Sequence, residues 1–341
     1  MRTLLTFDYE LFFGKRTGTP QACLFTPCEH LLKVLDEFSA KAVFFVDASY
    51  LARIRDYSVQ SAQLERDYAA VVAHIRQLEH SGHQIQLHIH PHWFDSWHDG
   101  NRWHMVTDRY RLAQWPTAER ESLITRCTTE LNRHLANKVF TFRAGGWCLQ
   151  PFSAIAEALW TNGIRIDSSV FHGGHAESGT HYWDFRSAPA SGCWSFGDDP
   201  CQPDPTGTFT ELAISSLRIS PLFYWHLAFN RVFGERQDHA RFGDGDPIEN
   251  GYGNLLRLLT RSSHMAVSVD GYKATLLRTA FRQAQRKGCS HFTVMGHPKS
   301  LSPYSLQHLR AWLGDLYRHG GQLEGYPLPT PVKRERATTA S

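Results

Sequence analysis

Short apolar runs ending in polar, chemically capable residues recur along this chain, and each is followed by a segment of helical periodicity. Residues 2–7, 42–46 (AVFFV), 84–88 (QIQLH), 139–143 (VFTFR), 164–167 and 291–295 (HFTVM) read as buried strands. Between and after them, residues 27–38, 63–80, 151–160, 272–286 and 302–317 read as helices, with one more from Thr117 to about Leu135. In the first helix Leu31, Leu32, Leu35 and Phe38 share a face; the second stops at Ser81-Gly82, a C-terminal signal. Strands that alternate with helices demand a parallel sheet covered by helices, open or closed as a barrel.

The stretch 171–268 breaks this rhythm. It is rich in Gly, Pro, Ser and Asp, has a weak strand signal at 209–214, and holds the aromatic run 219–233 (ISPLFYWHLAFNRVF). The expectation is one domain over 1–325 with an insertion at about 171–268, then a flexible tail over 326–341. Hydrophobic residues make up 42% of the 341 and charged residues 20%, enough for a sizeable core. The net charge of +3 lacks any long basic run, which argues against nucleic acid as a partner. Seven cysteines, without CxxC spacing, read as free buried thiols of a reducing compartment. The opening MRTLLTFDYE has no signal-peptide core because Asp8 and Glu10 interrupt it, and no apolar stretch approaches the ~20 residues of a membrane span. A cytoplasmic protein is expected.

Chemistry concentrates at the strand ends. His88, His90 and His92 alternate after one strand, so on extended chain they share a face; Pro91 favours a turn by His92. Three converging imidazoles suit Zn²⁺ or another borderline divalent ion. Asp8 and Glu10 end the first strand, where one carboxylate can ligate a metal and the other take a proton from water. Arg143 ends another strand and can hold a carboxylate bidentately; Gly145 and Gly146 after it let backbone approach a ligand. Asp167-Ser168-Ser169 and Gly296-His297-Pro298 complete the series. A barrel would gather all five at one mouth.

In this order the motifs resemble those of the polysaccharide deacetylase family, carbohydrate esterase family four. Thr6-Phe7-Asp8-Tyr9-Glu10 is similar to its Thr-Phe-Asp-Asp-Gly, and Gly82 through His92 matches the spacing Gly-His-Glu-Ile-x-x-His-x-x-x-His without a gap. Arg143-Ala144-Gly145-Gly146-Trp147 looks like a variant of Arg-x-Pro-x-Gly. The resemblance spans roughly 1–175 and 270–320. It implies an α/β fold, a distorted, incomplete (β/α) barrel with a metal, expected to be Zn²⁺, at its mouth. It also implies Asp8 as general base, His88 and His92 as ligands, Arg143 orienting Asp8, and His297 as general acid tuned by Asp167. The family's second aspartate is replaced by Tyr9, so the third ligand role passes to Glu10. His90, Gly145, Gly146 and Trp147 are expected to contact substrate.

The reaction implied is removal of an N-acetyl or N-formyl group from an amino sugar in a glycan, or in a lipid- or nucleotide-linked precursor. The alternatives are another metal-dependent hydrolase of C–N bonds, such as a cyclic amidase, and a degenerate barrel that binds glycan without cleaving it. Two expectations attach to 219–233: a core helix against the barrel, or an exposed aromatic flap making peripheral membrane contact beside the metal site.

Overall fold

The first strand, β1 (Arg2–Tyr9), is buried over its whole length except Arg2, so both of its faces must be covered. The computed structural model, which describes residues 1–233, 236–248 and 253–329, covers them with helices on one side and the sheet's own interior on the other. The strands that join β1 are β2 (Val43–Asp47), β3 (Gln84–Ile89), β4 (Thr141–Ala144), β5 (Ile166–Asp167), β6 (Cys193–Phe196) and β7 (Phe209–Leu212). The chain then makes a hairpin of β8 (Ser216–Ile219) and β9 (Ser263–Ala266) and ends the sheet with β10 (His291–Val294). The order across the sheet is β6-β7-β5-β4-β3-β2-β1-β10, parallel throughout except for β6 against β7.

The sheet curls until its ends nearly meet. Ser215, just past β7, donates its N–H to Thr293 O at 2.9 Å, and Thr293 N–H donates back to Ser215 Oγ at 3.0 Å. Residues 267–269, just past β9, pair with Met295 beyond β10. The result is a distorted, incomplete (β/α) barrel. Helices α1 (Thr26–Asp36), α2 (Ala48–Ser58), α3 (Ala62–His80), α4 (Thr117–Asn132) and α5 (Ala156–Thr161) fall between successive strands. The helix α6 (Pro221–Phe233) falls within the β8–β9 connection, and α7 (Leu277–Arg286) and α8 (Pro303–Arg318) flank β10.

Strand alternation divides the core. Leu5, Phe7 and Tyr9 pack outward with Leu31, Leu35 and Ile75 from the helices. Leu4, Val43, Phe45, Ile166 and Leu212 form a small interior cluster. Period-two geometry then puts Thr6 and Asp8 on the interior face with Leu4, and Asp47 there with Val43 and Phe45.

Three features depart from the sequence reading. Helix α2 starts directly from β2, because Asp47 caps it through Oδ1 to Ser49 N (3.0 Å) and Tyr50 N (3.3 Å). The region 171–268 is not wholly an insertion. It supplies β6 and β7 to the main sheet, Glu211 of β7 lying opposite Asp167 of β5. The tail also begins later than residue 326. Tyr326 is buried, donates its backbone N–H to Gln84 Oε1 (2.9 Å) and donates its hydroxyl to Ser168 Oγ (2.6 Å). Residues 330–341 lie outside the described residues.

In α6 the side chains of Phe223 and Tyr224 are half-buried, whereas Leu222, Trp225 and Phe229 are exposed. None of these lines the pocket described below. No helix among the described residues is long and apolar enough to cross a membrane. All seven cysteines are unpaired, and five are buried.

Candidate functional site

Alternation along β1 and β3 carries four side chains past the strand ends on one face: Asp8 and Glu10, His88 and His90. Glu10 Oε2 lies 2.6 Å from His90 Nε2 and 3.1 Å from His88 Nε2, and the two Nε2 atoms are 3.1 Å apart. All three residues are buried, and their ligand atoms lie within 4.8 Å of one another. No other such group of His, Cys, Asp or Glu side chains occurs among the described residues.

The hydrogen bond at the back of His88 fixes its chemistry. Its Nδ1 faces Arg143 O at 2.7 Å and, as the only group able to donate there, carries the proton. In the neutral ring Nε2 is then a bare lone pair aimed at a carboxylate oxygen, an arrangement a cation between them resolves. The Nδ1 of His90 has no partner, leaving its Nε2 directed at the same point. Two imidazole nitrogens and one carboxylate suit a Zn²⁺-type centre with open positions.

This cluster corrects one expectation. His92 was to be the second histidine ligand, but β3 ends at Ile89 and the turn Pro91–Phe94 carries His92 off the strand face. Its ring stacks on Tyr110 (4.7 Å, 15°) and meets Phe13 edge-on, with both nitrogens buried and unbonded. Burial, reinforced by the neighbouring His90, holds its pKa well below the usual histidine value. His90, the residue between, takes the place expected for His92.

Asp8 and Arg143 meet as expected. Arg143 is fully buried and donates Nη1 to Asp8 Oδ1 at 2.6 Å. Its remaining donors reach Ser168 O, Ser168 Oγ and Thr6 Oγ1, and its guanidinium lies over the Phe45 ring. One oxygen of Asp8 is therefore fixed. The other, Oδ2, points to His297 Nε2 at 3.7 Å.

His297 also faces this mouth, but Asp167 does not hold it. Asp270 does, accepting from Nδ1 (2.8 Å) with one oxygen and from the His297 backbone N–H (2.8 Å) with the other. Burial alone would lower the His297 pKa, but the charges of Asp270, Asp8 and Glu10 outweigh it and raise the value. Asp167 instead accepts from Ser169 N and Oγ at 2.8 and 2.9 Å and faces Glu211 on the next strand. Burial raises the pKa of both, and the neighbouring Asp167 raises that of Glu211 further, well above its usual value.

Lys299 is a further site residue that the sequence did not reveal. Its Nζ lies 2.8 Å from Glu10 Oε1, is bonded to Leu11 O, and rests 4.7 Å from the centres of the Phe12 and Phe13 rings. Burial pushes the Glu10 pKa up, yet Lys299, His90 and His88 together bring it well below the usual value. Glu10 is thus an anion with one oxygen on Lys299 and one toward the histidines.

The pocket over these groups has a volume of about 380 Å³. Asp8, Glu10, His88, His90, Asp270, His297 and Lys299 line it below, with Phe12, Phe13, Tyr110, Trp147 and Trp183 as aromatic walls. A Cβ on Gly145 would sit 2.6 Å from both His90 Nδ1 and Ile89 O, so its backbone packs directly against His90. Gly146 (φ +58°) and Trp147 (φ +60°) are successive left-handed residues that turn the chain along the pocket wall.

No family model matches the sequence, and no curated protein matches it. Among solved structures the chain is similar to a polysaccharide deacetylase candidate from Mycobacterium smegmatis (TM-score 0.44, 13% identity, 90% of this chain and 82% of that one). It is also similar to the catalytic domain of a peptidoglycan N-acetylglucosamine deacetylase from Eubacterium rectale (TM-score 0.41, 12% identity, 98% and 92%). A third likeness is to a family 4 carbohydrate esterase from Streptomyces lividans (TM-score 0.38, 12% identity, 94% and 91%). At TM-scores below 0.5 these likenesses carry no argument about function, which rests on the side chains of the pocket.

Proposed function

We propose that this chain is a polysaccharide deacetylase-type hydrolase that removes an acetyl or formyl group from the nitrogen of an amino sugar in a glycan or glycan precursor. One observation carries the reading: Asp8 Oδ2, which has no other partner among the described residues, faces a carboxylate-backed imidazole, His297 Nε2, at 3.7 Å beside the Glu10–His88–His90 cluster. Amide hydrolysis needs those parts: a base for water, an acid for the departing amine, and an electrophile at the carbonyl.

Glu10, His88 and His90 would hold a divalent metal ion, Zn²⁺ by the N,N,O donor set, which when bound supplies Lewis acidity to water and to the acyl carbonyl. Asp8 accepts the proton of the attacking water on Oδ2 while Arg143 keeps Oδ1 fixed. His297 gives its Nε2 proton to the leaving nitrogen as the amide C–N bond breaks, and Asp270 keeps the ring oriented through Nδ1. Lys299 holds Glu10 as an anion. Trp147, Trp183 and Tyr110 offer flat apolar faces to a sugar ring.

The test is release of acetate or formate from a panel of N-acylated glycans, nucleotide sugars and lipid-linked sugars, with cyclic amides for comparison. Release from an amino sugar that stops on chelation and returns with Zn²⁺ is expected. Release indifferent to chelation would remove the metal from the account, turnover of cyclic amides alone would assign another substrate class, and binding without release would make the barrel a glycan-binding module.

A further inference from the structure

The catalytic pocket shares wall residues with a neighbouring depression, and that depression with a further cavity. Phe13 and Ile248 of the pocket wall also border the depression, which holds Lys15, Arg102 and Trp103. Those last three border in turn a third cavity of about 830 Å³, on the far side of the segment that follows β1. The floor between the cavities is fixed. A Cβ on Gly14 would lie 2.5 Å from the carbonyl oxygens of both Asp246 and Pro247, so the loop packs there without room to shift.

The lining differs between these cavities. The catalytic pocket is lined by aromatic rings and by ion-paired groups. Among the described residues, the further cavity is bordered by Lys15, Arg16, Arg66 and Arg102 and by two carboxylates, Asp67 and Asp244. Both carboxylates are engaged locally: Asp244 accepts from Thr19 N and Oγ1, and Asp67 from Gln63 Nε2. Arg16 is paired with Asp246 at 2.9 Å. Arg66 reaches only the neutral Gln63 Oε1, at 2.7 Å, and neither Arg66 nor Arg102 forms an ion pair among the described residues. Two guanidinium groups that line one cavity and form no ion pair among the described residues offer planar forks of N–H donors that match phosphate oxygens.

We propose that this cavity is a phosphate subsite: the amino sugar whose amide reaches His297 carries a phosphate or diphosphate group, seated by Arg66 and Arg102. The assignment rests on the deacylase reading for the position of the amide, but the anion site itself can be tested apart from it.

The direct probe is inorganic pyrophosphate, titrated calorimetrically into the wild type and into the Arg66→Ala/Arg102→Ala variant. Both residues are exposed, so the fold should hold, and an unchanged melting temperature checks that it does. At least tenfold weaker binding in the variant is expected. Equal binding would place the anion elsewhere, at the metal cluster for instance, and overturn the subsite, as would no binding by the wild type. In parallel, acetate release from uridine diphosphate N-acetylglucosamine is compared with release from neutral chitobiose. For the charged substrate the variant should raise KM about tenfold or more with kcat retained, and 0.5 M salt should erode the wild type's advantage. For chitobiose neither parameter should move. Equal effects on both substrates would overturn the proposal. If neither substrate releases acetate, the deacylase reading fails, and the pyrophosphate titration still decides the subsite.

Discussion

Replacing Lys299 with Met probes the charge balance of the cluster. Lys299 and Glu10 expose only 8% and 6% of their side chains, and Nζ–Oε1 is 2.8 Å. Removing one partner of such a buried pair usually costs about 3–5 kcal/mol, because the other charge is stranded. Here Glu10 retains His90 at 2.6 Å and His88 at 3.1 Å, which lowers the expected loss. A loss of about 2–3 kcal/mol for the metal-stripped protein corresponds to a melting temperature lower by roughly 5 °C for a chain of this size. The pH dependence follows from the lowered Glu10 pKa. A carboxylate depressed in the fold contributes stability above its unfolded value of 4.5 and loses it as pH falls toward the folded value. The gap between Lys299→Met and wild type should therefore be full at neutral pH and narrow below that value. Added Zn²⁺ should also close much of it, since a divalent cation restores countercharge to Glu10. Differential scanning calorimetry with and without metal reads all three effects. A metal-stripped Lys299→Met protein as stable as wild type at pH 7 would show that Lys299 does not balance the charge of Glu10.

Asp8→Asn should lower turnover by about 10²–10⁴ without changing the zinc stoichiometry, a combination read by acyl release and metal analysis. Activity retained in Asp8→Asn would move the base role to Glu10. In Asp270→Asn the His297 pKa should fall, because the carboxylate that most raises it is neutralised. An acid works only while protonated, so the alkaline limb of the kcat profile should move to lower pH, and an unmoved limb would separate His297 from that limb. Glu211→Gln should stabilise the fold near neutral pH. A carboxyl whose folded pKa is raised costs stability as pH rises above its unfolded value of 4.5, and the amide removes that cost. Chemical denaturation should show the gain shrinking toward pH 4, and equal gain at both pH values would contradict a raised Glu211 pKa. Trp225→Ser/Phe229→Ser tests the membrane expectation by liposome co-sedimentation, with loss of binding expected if the exposed face of α6 meets lipid.

The barrel was legible because its strands are continuous apolar runs, and because Asp8, His88, Arg143 and His297 end them where a barrel brings strand ends together. What failed was local geometry that spacing does not encode. His90 displaced His92 because the strand direction persists one residue beyond Ile89 and the turn at Pro91 then breaks it. Asp270 was overlooked because Val267–Val269, the run it ends, lay at the border of a stretch read as insertion, although a short apolar run ending in an acid is the signal seen elsewhere. Lys299 follows His297 by two residues, yet its contact with Glu10 depends on the turn Pro298–Ser300, which sequence pattern alone does not specify. Asp167 kept its place at a strand end but found Glu211 there, because β7 lies beside β5.

Equilibrium zinc binding to metal-stripped protein decides whether Glu10, His88 and His90 form the metal centre. One ion per chain is expected in the wild type and in His92→Ala, with binding lost in His90→Ala. Zinc retained by His90→Ala and lost from His92→Ala would contradict the account and return the ligand role to His92.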